Sequence, residues 1–184
     1  MKKIPLLLCL LAGQFIPAFA WAQMANDTPM AVPEGVKTIA SIVAGDKVLA
    51  RGWGSSASLE PVPVKFSYGI LPDRRGSTQE MVFVRYGEQR LLIATRNQAF
   101  LLATGKLILA RQLVAGQALM TGDGGPATVS AVRMGYYSGG MHHISTNAAW
   151  NGNPARHLVV AGGLIVADYA LQMHYPQLPA QFKH

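Results

Sequence analysis

The stretch that decides the fold occurs twice. Residues 35–49 read GVKTIASIVAGDKVL, and residues 105–119 read GKLILARQLVAGQAL. The Val-Ala-Gly of residues 43–45 returns 71 positions later, whereas Gly35 and Gly105 lie 70 positions apart, so one residue is inserted between these two landmarks. A repeat of this length is too widely spaced for a solenoid, and it predicts two related subdomains that fold against each other.

Short apolar segments separated by glycine-rich turns predict an all-β domain. Helical periodicity is weak throughout the mature chain, apart from one possible turn before each repeated glycine, over residues 39–43 and 110–114. We predict loops over residues 53–60, 71–78, 121–126 and 145–154, and a loosely ordered tail over residues 175–184, which contains two prolines. The strands are predicted at residues 62–68, 80–86, 90–95, 100–102, 107–109, 128–134, 158–160 and 164–166.

The N-terminus resembles a secretory signal peptide. Lys2 and Lys3 precede an apolar run, and small residues end it at Ala20 and Ala22, which gives two possible cleavage positions. Cleavage after Ala22 is favoured and leaves Gln23 as the first residue, where it is expected to cyclise to pyroglutamate. The alternative is an uncleaved membrane anchor, which the short apolar run disfavours.

These features divide the chain into a signal peptide (residues 1–22), a β domain (23–174) and a C-terminal tail (175–184). The expected location is secreted or periplasmic, with no integral membrane segment after signal cleavage. Cys9 is the only cysteine and lies in the signal peptide. The mature chain therefore has no disulfide, no thiolate metal ligand and no cysteine nucleophile.

Charge and composition narrow the possible partners. Residues 23–184 carry 14 basic and 9 acidic side chains, a net charge of +5. The basic residues are scattered without dense clusters or interleaved aromatics, so we do not expect a nucleic-acid partner. No phosphate-binding or calcium-binding template is present, and no cofactor is expected. The chain is expected to be a monomer.

Three blocks of sequence follow one another in an order typical of a known family. The first block, residues 39–50, contains I-x-x-I, G-D and V-L-A. The second runs from the TRNQAF of residues 95–100 to residue 119, and the third is HLVVAGGLIVAD at residues 157–168. Together they resemble the Hint domain shared by inteins and the Hedgehog autoprocessing region, over residues 28–169. The resemblance implies a flat, all-β horseshoe of β-hairpins with an internal pseudo-twofold repeat.

The resemblance also implies self-cleavage chemistry, from which this sequence departs. The family uses a side-chain nucleophile at its first residue, a histidine that protonates the leaving amine, and a closing His-Asn pair. Here the nucleophile position falls near Gln23 or Met24, neither of which can attack. The block histidine is replaced by Gln98, whose amide cannot transfer a proton near neutral pH. The closing pair is replaced by the Ala-Asp of residues 167–168, followed by a tyrosine.

The candidate catalytic positions, by equivalence to the family, are Thr95, Gln98, His143, His157 and Asp168. Neighbouring histidines also suggest a metal such as Zn²⁺. Adjacent residues on a strand point to opposite faces, however, so His142 and its neighbour cannot both face one ion. We therefore expect no metal site. A structural or surface role is the commonest use of such histidines.

Three functions are compatible with these residues. The first is a secreted, degenerate Hint-like domain that has lost autocatalytic self-cleavage and serves as a binding or scaffold module for a protein, a peptide or an envelope component. The alternative is self-processing by altered chemistry, in which Asp168, or His143 together with His157, promotes cleavage of a peptide bond. The third is a purely structural envelope protein.

Overall fold

The computed structural model describes residues 23–54, 57–72, 78–146 and 148–184. The predicted signal peptide lies outside the described residues, as do parts of the loops predicted at 53–60, 71–78 and 145–154. No helix within the described ranges is long and apolar enough to cross a membrane.

The described residues form fourteen strands and one short α-helix. In chain order the strands are β1 Met24–Ala25, β2 Pro29–Val32, β3 Gly35–Thr38, β4 Lys47–Arg51, β5 Leu59–Ile70, β6 Gln79–Tyr86, β7 Arg90–Ala94, β8 Ala99–Leu101, β9 Leu107–Leu109, β10 Ala118–Met120, β11 Pro126–Tyr137, β12 Met141–Thr146, β13 Leu158–Ala161 and β14 Leu164–Ala167; the helix is α1, Tyr169–His174.

Antiparallel pairing joins these strands in the order β10-β11-β6-β7-β1-β12-β5-β4-β13-β14-β8-β9, with β2 beside β13 and β3 beside β2. The all-β prediction is confirmed. The loop predicted to begin at residue 145 is wrong at that end, because β12 extends to Thr146. Strands β1 to β4, β10 and β12 are not among the predicted strands. Those of two to five residues offer too few alternations to show a period of two.

The repeat detected in the sequence is present in the structure. Each half contains a single 3-10 turn at the expected place, Ile39–Ser41 in the first and Ala110–Gln112 in the second. Val43 N–H donates to Asp46 Oδ2 (3.2 Å), and its counterpart Val114 N–H donates to Gln117 Oε1 (2.9 Å). A side-chain acceptor three residues ahead therefore closes the same turn in both halves.

The glycine inside each turn is required by the backbone. Gly45 and Gly116 have φ of 96° and 90°, a left-handed region that disfavours any residue with a Cβ atom. Each glycine N–H then bonds to the long strand that follows, Gly45 to the carbonyl of Val64 and Gly116 to that of Val129, both at 2.8 Å. These bonds bring the chain back onto the sheet.

The two halves exchange strands. The long strand of the first half, β5, pairs with β4 over its first residues and then with β12, which follows the long strand of the second half. Likewise β11 pairs first with β10 and then with β6, which follows the long strand of the first half. Each half therefore supplies a strand that completes the sheet of the other.

The C-terminal tail is ordered, which corrects the expectation from sequence. Helix α1 is followed by two further 3-10 turns, Tyr175–Gln177 and Ala180–Phe182. Leu178 of the tail and Leu171 of α1 are both buried in the second of two hydrophobic clusters, against side chains of β8, β9, β13 and β14. The two prolines start or flank these turns and do not leave the tail loose.

Candidate functional site

The family resemblance places the nucleophile near Gln23 or Met24. Met24 packs into the main hydrophobic cluster, whereas the contacts of Gln23 are polar. The Gln23 backbone pairs with Thr95: Gln23 N–H donates to Thr95 Oγ1 and Thr95 N–H donates to the Gln23 carbonyl, both at 2.9 Å. Gln23 is only 4 % exposed.

The side chain of Gln23 is held by a buried histidine. Its Nε2 lies 3.1 Å from His143 Nδ1. Burial lowers the pKa of His143 to about 4, with a smaller contribution from His142, so the ring is uncharged at neutral pH. An uncharged ring accepts the amide hydrogen at Nδ1. We call Gln23, Thr95 and His143 the Gln23 cluster.

Aromatic side chains surround His143. Its ring stacks on Tyr169, with 4.6 Å between centroids and 19° between planes. The rings of Phe66 and Tyr68, on β5, lie 5.4 and 5.8 Å from His143. Phe66 and Tyr68 are 39 % and 52 % exposed, so the group reaches solvent. We call Phe66, Tyr68, His143 and Tyr169 the aromatic wall.

A second cluster is built around the buried carboxylate of Asp168, which is 2 % exposed. Its Oδ2 accepts hydrogen bonds from Thr146 N–H (2.8 Å), Thr146 Oγ1 (2.9 Å) and His157 Nδ1 (3.0 Å). Its Oδ1 accepts from Leu171 N–H (2.9 Å) and caps the N-terminus of α1. A carboxylate can only accept a hydrogen bond, so Nδ1 of His157 carries the hydrogen that is shared with Asp168 Oδ2. We call Thr146, His157 and Asp168 the Asp168 cluster.

Hairpin register brings this cluster together. Asp168 N–H donates to the His157 carbonyl (2.8 Å), which fixes the two residues at the open end of the β13–β14 hairpin. Thr146 ends β12, and the carbonyl oxygen of Arg156, 3.1 Å from Thr146 Oγ1, is an alternative acceptor for the single hydroxyl hydrogen. The loop residue Trp150 covers the group, with its ring 5.6 Å from that of His157.

These contacts oppose chemistry at Asp168. To attack its own carbonyl carbon, the carboxylate would have to leave hydrogen bonds on both oxygens and expose the N-terminal turn of α1. The residue after it belongs to a helix that packs into the core through Leu171. The arrangement is that of a structural anchor.

Gln98, at the position of the family histidine, is also a structural tie. Its Nε2 donates to the carbonyls of Ala167 (2.9 Å) and Ala99 (3.3 Å). Its Oε1 accepts from Gln172 Nε2 of α1 (3.1 Å). The side chain is fully buried. It therefore joins β8, the end of β14 and the tail helix.

The structure thus places the five predicted positions in one region. Thr95 and His143 belong to the Gln23 cluster, His157 and Asp168 to the Asp168 cluster, and Gln98 supports the latter. Tyr169 connects the clusters, since it follows Asp168 in the chain and stacks on the ring beside Gln23.

Three participants were not identified from the sequence as members of the site. Thr146 carries no sequence signal, because its role depends on where β12 ends. In the sequence, Tyr169 is only the residue that follows the closing pair. Trp150 falls within the loop predicted over residues 145–154 and carries no signal of its own; its ring also stacks on His174, 4.5 Å away.

The neighbouring histidines do not converge. His142 Nε2 lies 2.7 Å from Ser67 Oγ, whereas the His143 ring contacts Gln23. Among the residues described, no group of three or more His, Cys, Asp or Glu side chains is placed to hold a metal ion. That no metal or cofactor binds stays a prediction.

Comparison with solved structures identifies the architecture. The chain superposes on the bacterial intein-like domain from Clostridium thermocellum with a TM-score of 0.64 and 16 % identity, over 79 % of this chain and 97 % of that one. It superposes on the gp41-1 intein with a TM-score of 0.60 and 15 % identity, over 80 % and 98 % of the two chains. For the MchDnaB-1 intein the values are 0.57 and 16 %, over 79 % and 99 %.

No protein-family model matches the chain, and no curated protein matches it significantly. At these identities the similarity establishes the fold alone. The resemblance inferred from the three sequence blocks is confirmed at that level: the chain has the Hint fold seen in inteins.

Proposed function

We propose that this chain is an exported Hint-like domain that does not cleave itself and that serves as a binding scaffold. The observation that carries the proposal is the set of hydrogen bonds made by the Asp168 carboxylate. Both of its carboxylate oxygens are engaged, by Thr146, His157 and the first turn of α1. Reaction at this residue would require these hydrogen bonds to break, together with the cap of α1.

The Gln23 cluster supports the same proposal. Acyl transfer at this position needs a side chain that attacks the preceding carbonyl. The amide of Gln23 is a poor nucleophile because its nitrogen lone pair is delocalised into the carbonyl. Gln98, where a proton donor would be needed, has its hydrogen bonds to β14 and α1 instead.

Export is part of the proposal and rests on the sequence. The basic start, short apolar run and small residues at positions 18, 20 and 22 fit a cleavable signal. A cut after Ala22 frees the chain at Gln23, the residue already buried in the site.

The proposed binding surface consists of the aromatic wall and the exposed apolar residues that continue it along β5. Phe66, Tyr68 and Ile70 alternate along one face of β5 and are 39 %, 52 % and 50 % exposed; the adjacent Leu71 is 79 % exposed. Exposed aromatic and aliphatic side chains grouped on one surface are typical of protein recognition. We infer a protein or peptide partner that presents apolar side chains to this face.

Intact-mass measurement tests the absence of cleavage. We expect the folded precursor to keep its full backbone during prolonged incubation with hydroxylamine or a thiol, because neither a nucleophile nor a free closing residue is available. The gp41-1 intein in its precursor form serves as the positive control for the reagents.

Fragments that begin at Gln23 or end at Asp168 would contradict this expectation. They would favour the alternative, in which altered chemistry cuts the chain. The same chain in denaturant is the matched reference, since any cut found equally there is ordinary peptide chemistry and not a property of the site.

Site-directed photo-crosslinking tests the binding surface. A photoreactive phenylalanine at Tyr68 should crosslink to a discrete partner in the producing cells several-fold more than the same probe at Val36. Val36 lies on β3, away from the aromatic wall, and is 69 % exposed, so the control matches or exceeds Tyr68 in accessibility. Equal crosslinking at the two positions would contradict recognition by the aromatic wall.

A further inference from the structure

The Gln23 cluster holds both nitrogens that must take part if an N-terminal glutamine is to close into a ring. The backbone nitrogen of Gln23 lies 2.9 Å from Thr95 Oγ1, and its side-chain nitrogen Nε2 lies 3.1 Å from His143 Nδ1. All three residues are buried, at 4 %, 2 % and 2 % exposure for Gln23, Thr95 and His143. The two nitrogens are therefore contacted by different side chains in a buried site.

We propose that the Gln23 cluster promotes cyclisation of Gln23 to pyroglutamate once the Ala22–Gln23 bond has been cut. The inference rests on the proposed export and on cleavage at that bond. It assigns to the remains of this site an intramolecular reaction of the chain end, with ammonia as the only product released.

The reaction is balanced without a cofactor or co-reactant. The uncharged α-nitrogen attacks the side-chain carbon Cδ, so that one C–N bond forms. The Cδ–Nε2 bond then breaks. One proton lost by the α-nitrogen moves to Nε2, directly or through Nδ1 of His143, and Nε2 departs as ammonia. No change of oxidation state occurs.

His143 suits the transfer of that proton. Its ring is oriented by stacking on Tyr169 and contacts the leaving nitrogen itself. Being uncharged, the ring can accept a proton and return it to Nε2, which becomes basic as the tetrahedral intermediate forms. Thr95 Oγ1 accepts a hydrogen from the α-nitrogen and so orients its lone pair.

Burial supplies the driving force. A new N-terminus at this place is an ammonium group with three donors, whereas the partners that contact Gln23 are the neutral Thr95 and His143. Burying an unpaired charge is costly. The lactam is neutral and retains a single N–H, the number that Thr95 Oγ1 receives in this structure. The folded chain therefore favours the cyclised end.

The test follows ammonia loss by mass spectrometry. The chain of residues 23–184 is released in denaturant from an N-terminal fusion so that Gln23 is first, and refolding at neutral pH starts the reaction. The reference is a synthetic peptide of residues 23–32 under the same conditions. We expect the folded chain to cyclise about 100-fold faster than the peptide, the low end of what a positioned proton donor or acceptor contributes.

Two variants distinguish a contribution of His143 to the cyclisation rate from a general effect of folding. His143→Gln should reduce the rate towards that of the peptide, whereas His142→Gln, at the neighbouring position that contacts Ser67, should retain most of the rate enhancement. A wild-type rate no greater than that of the peptide overturns the proposal, whatever the variants do. So does an exported protein whose first residue is not Gln23.

Failure here is distinguishable from failure of the proposed function. Loss of ammonia changes the mass without breaking the backbone between residues, whereas self-cleavage gives fragments. A chain that neither cyclises faster than the peptide nor fragments overturns only the cyclisation.

Discussion

We expect Asp168→Ala to lower the free energy of unfolding by about 3–5 kcal/mol. This is the range found when one member of a buried, hydrogen-bonded charge pair is removed. The substitution leaves Thr146 N–H and Leu171 N–H without their acceptor and His157 Nδ1 without its carboxylate. It also removes the N-cap of α1. Urea unfolding followed by circular dichroism measures the effect.

Two further variants make this result specific. Glu34→Ala removes an exposed carboxylate from the turn between β2 and β3 and should change stability by no more than about 0.5 kcal/mol. Asp168→Asn keeps an oxygen to cap α1 but loses the full acceptor set of a carboxylate, so it should fall between the two. A loss for Asp168→Ala as small as that for Glu34→Ala would remove the basis for a structural anchor.

The second large effect is expected from deleting α1 together with the C-terminal tail. Deleting residues 169–184 removes Leu171 and Leu178 from the second hydrophobic cluster, where they are 0 % and 3 % exposed. Each buried leucine contributes about 1.5–3 kcal/mol, a substantial part of the 5–15 kcal/mol that typically stabilises a domain. The deletion also uncovers apolar side chains of β8, β9 and β13. We expect little soluble protein and a lowered unfolding midpoint in what remains.

A pair of substitutions within α1 controls for the deletion. Leu171→Ala should cost about 2–5 kcal/mol, because it empties a buried site. Met173→Ala, two residues away and 47 % exposed, should cost no more than about 0.5 kcal/mol. A truncated chain as stable as the complete one would show that the domain ends at Asp168, as in a protein that releases everything after its closing residue.

The sequence sufficed for the outline of the fold. The repeated glycines at 45 and 116 marked both 3-10 turns. Each has a positive φ, and glycine is the residue that a sequence most often places at such a backbone position. The long alternating strands were also visible, with ends misplaced by a few residues. Helix α1 gives no sequence signal, since six residues are too few to show helical periodicity, and Asp168 stands out in the sequence as the family's closing position and not as a helix cap.

The site could be predicted as a set of positions but not as a set of contacts. Gln98, His143, His157 and Asp168 were singled out through the family resemblance. Gln23 and His143 are 120 residues apart in the chain, and their contact depends on the register of β1 against β12. Pairing of that kind is not encoded in local pattern, so the division into two clusters required the structure.

The exchange of strands between the halves has a consequence for how such a protein arises and unfolds. Because β12 completes β5 and β6 completes β11, neither copy of the ancestral unit closes its own hydrogen-bonded surface. Duplication has therefore produced a single cooperative body and not a pair of modules joined by a link. A mutation that loosens either copy therefore weakens both.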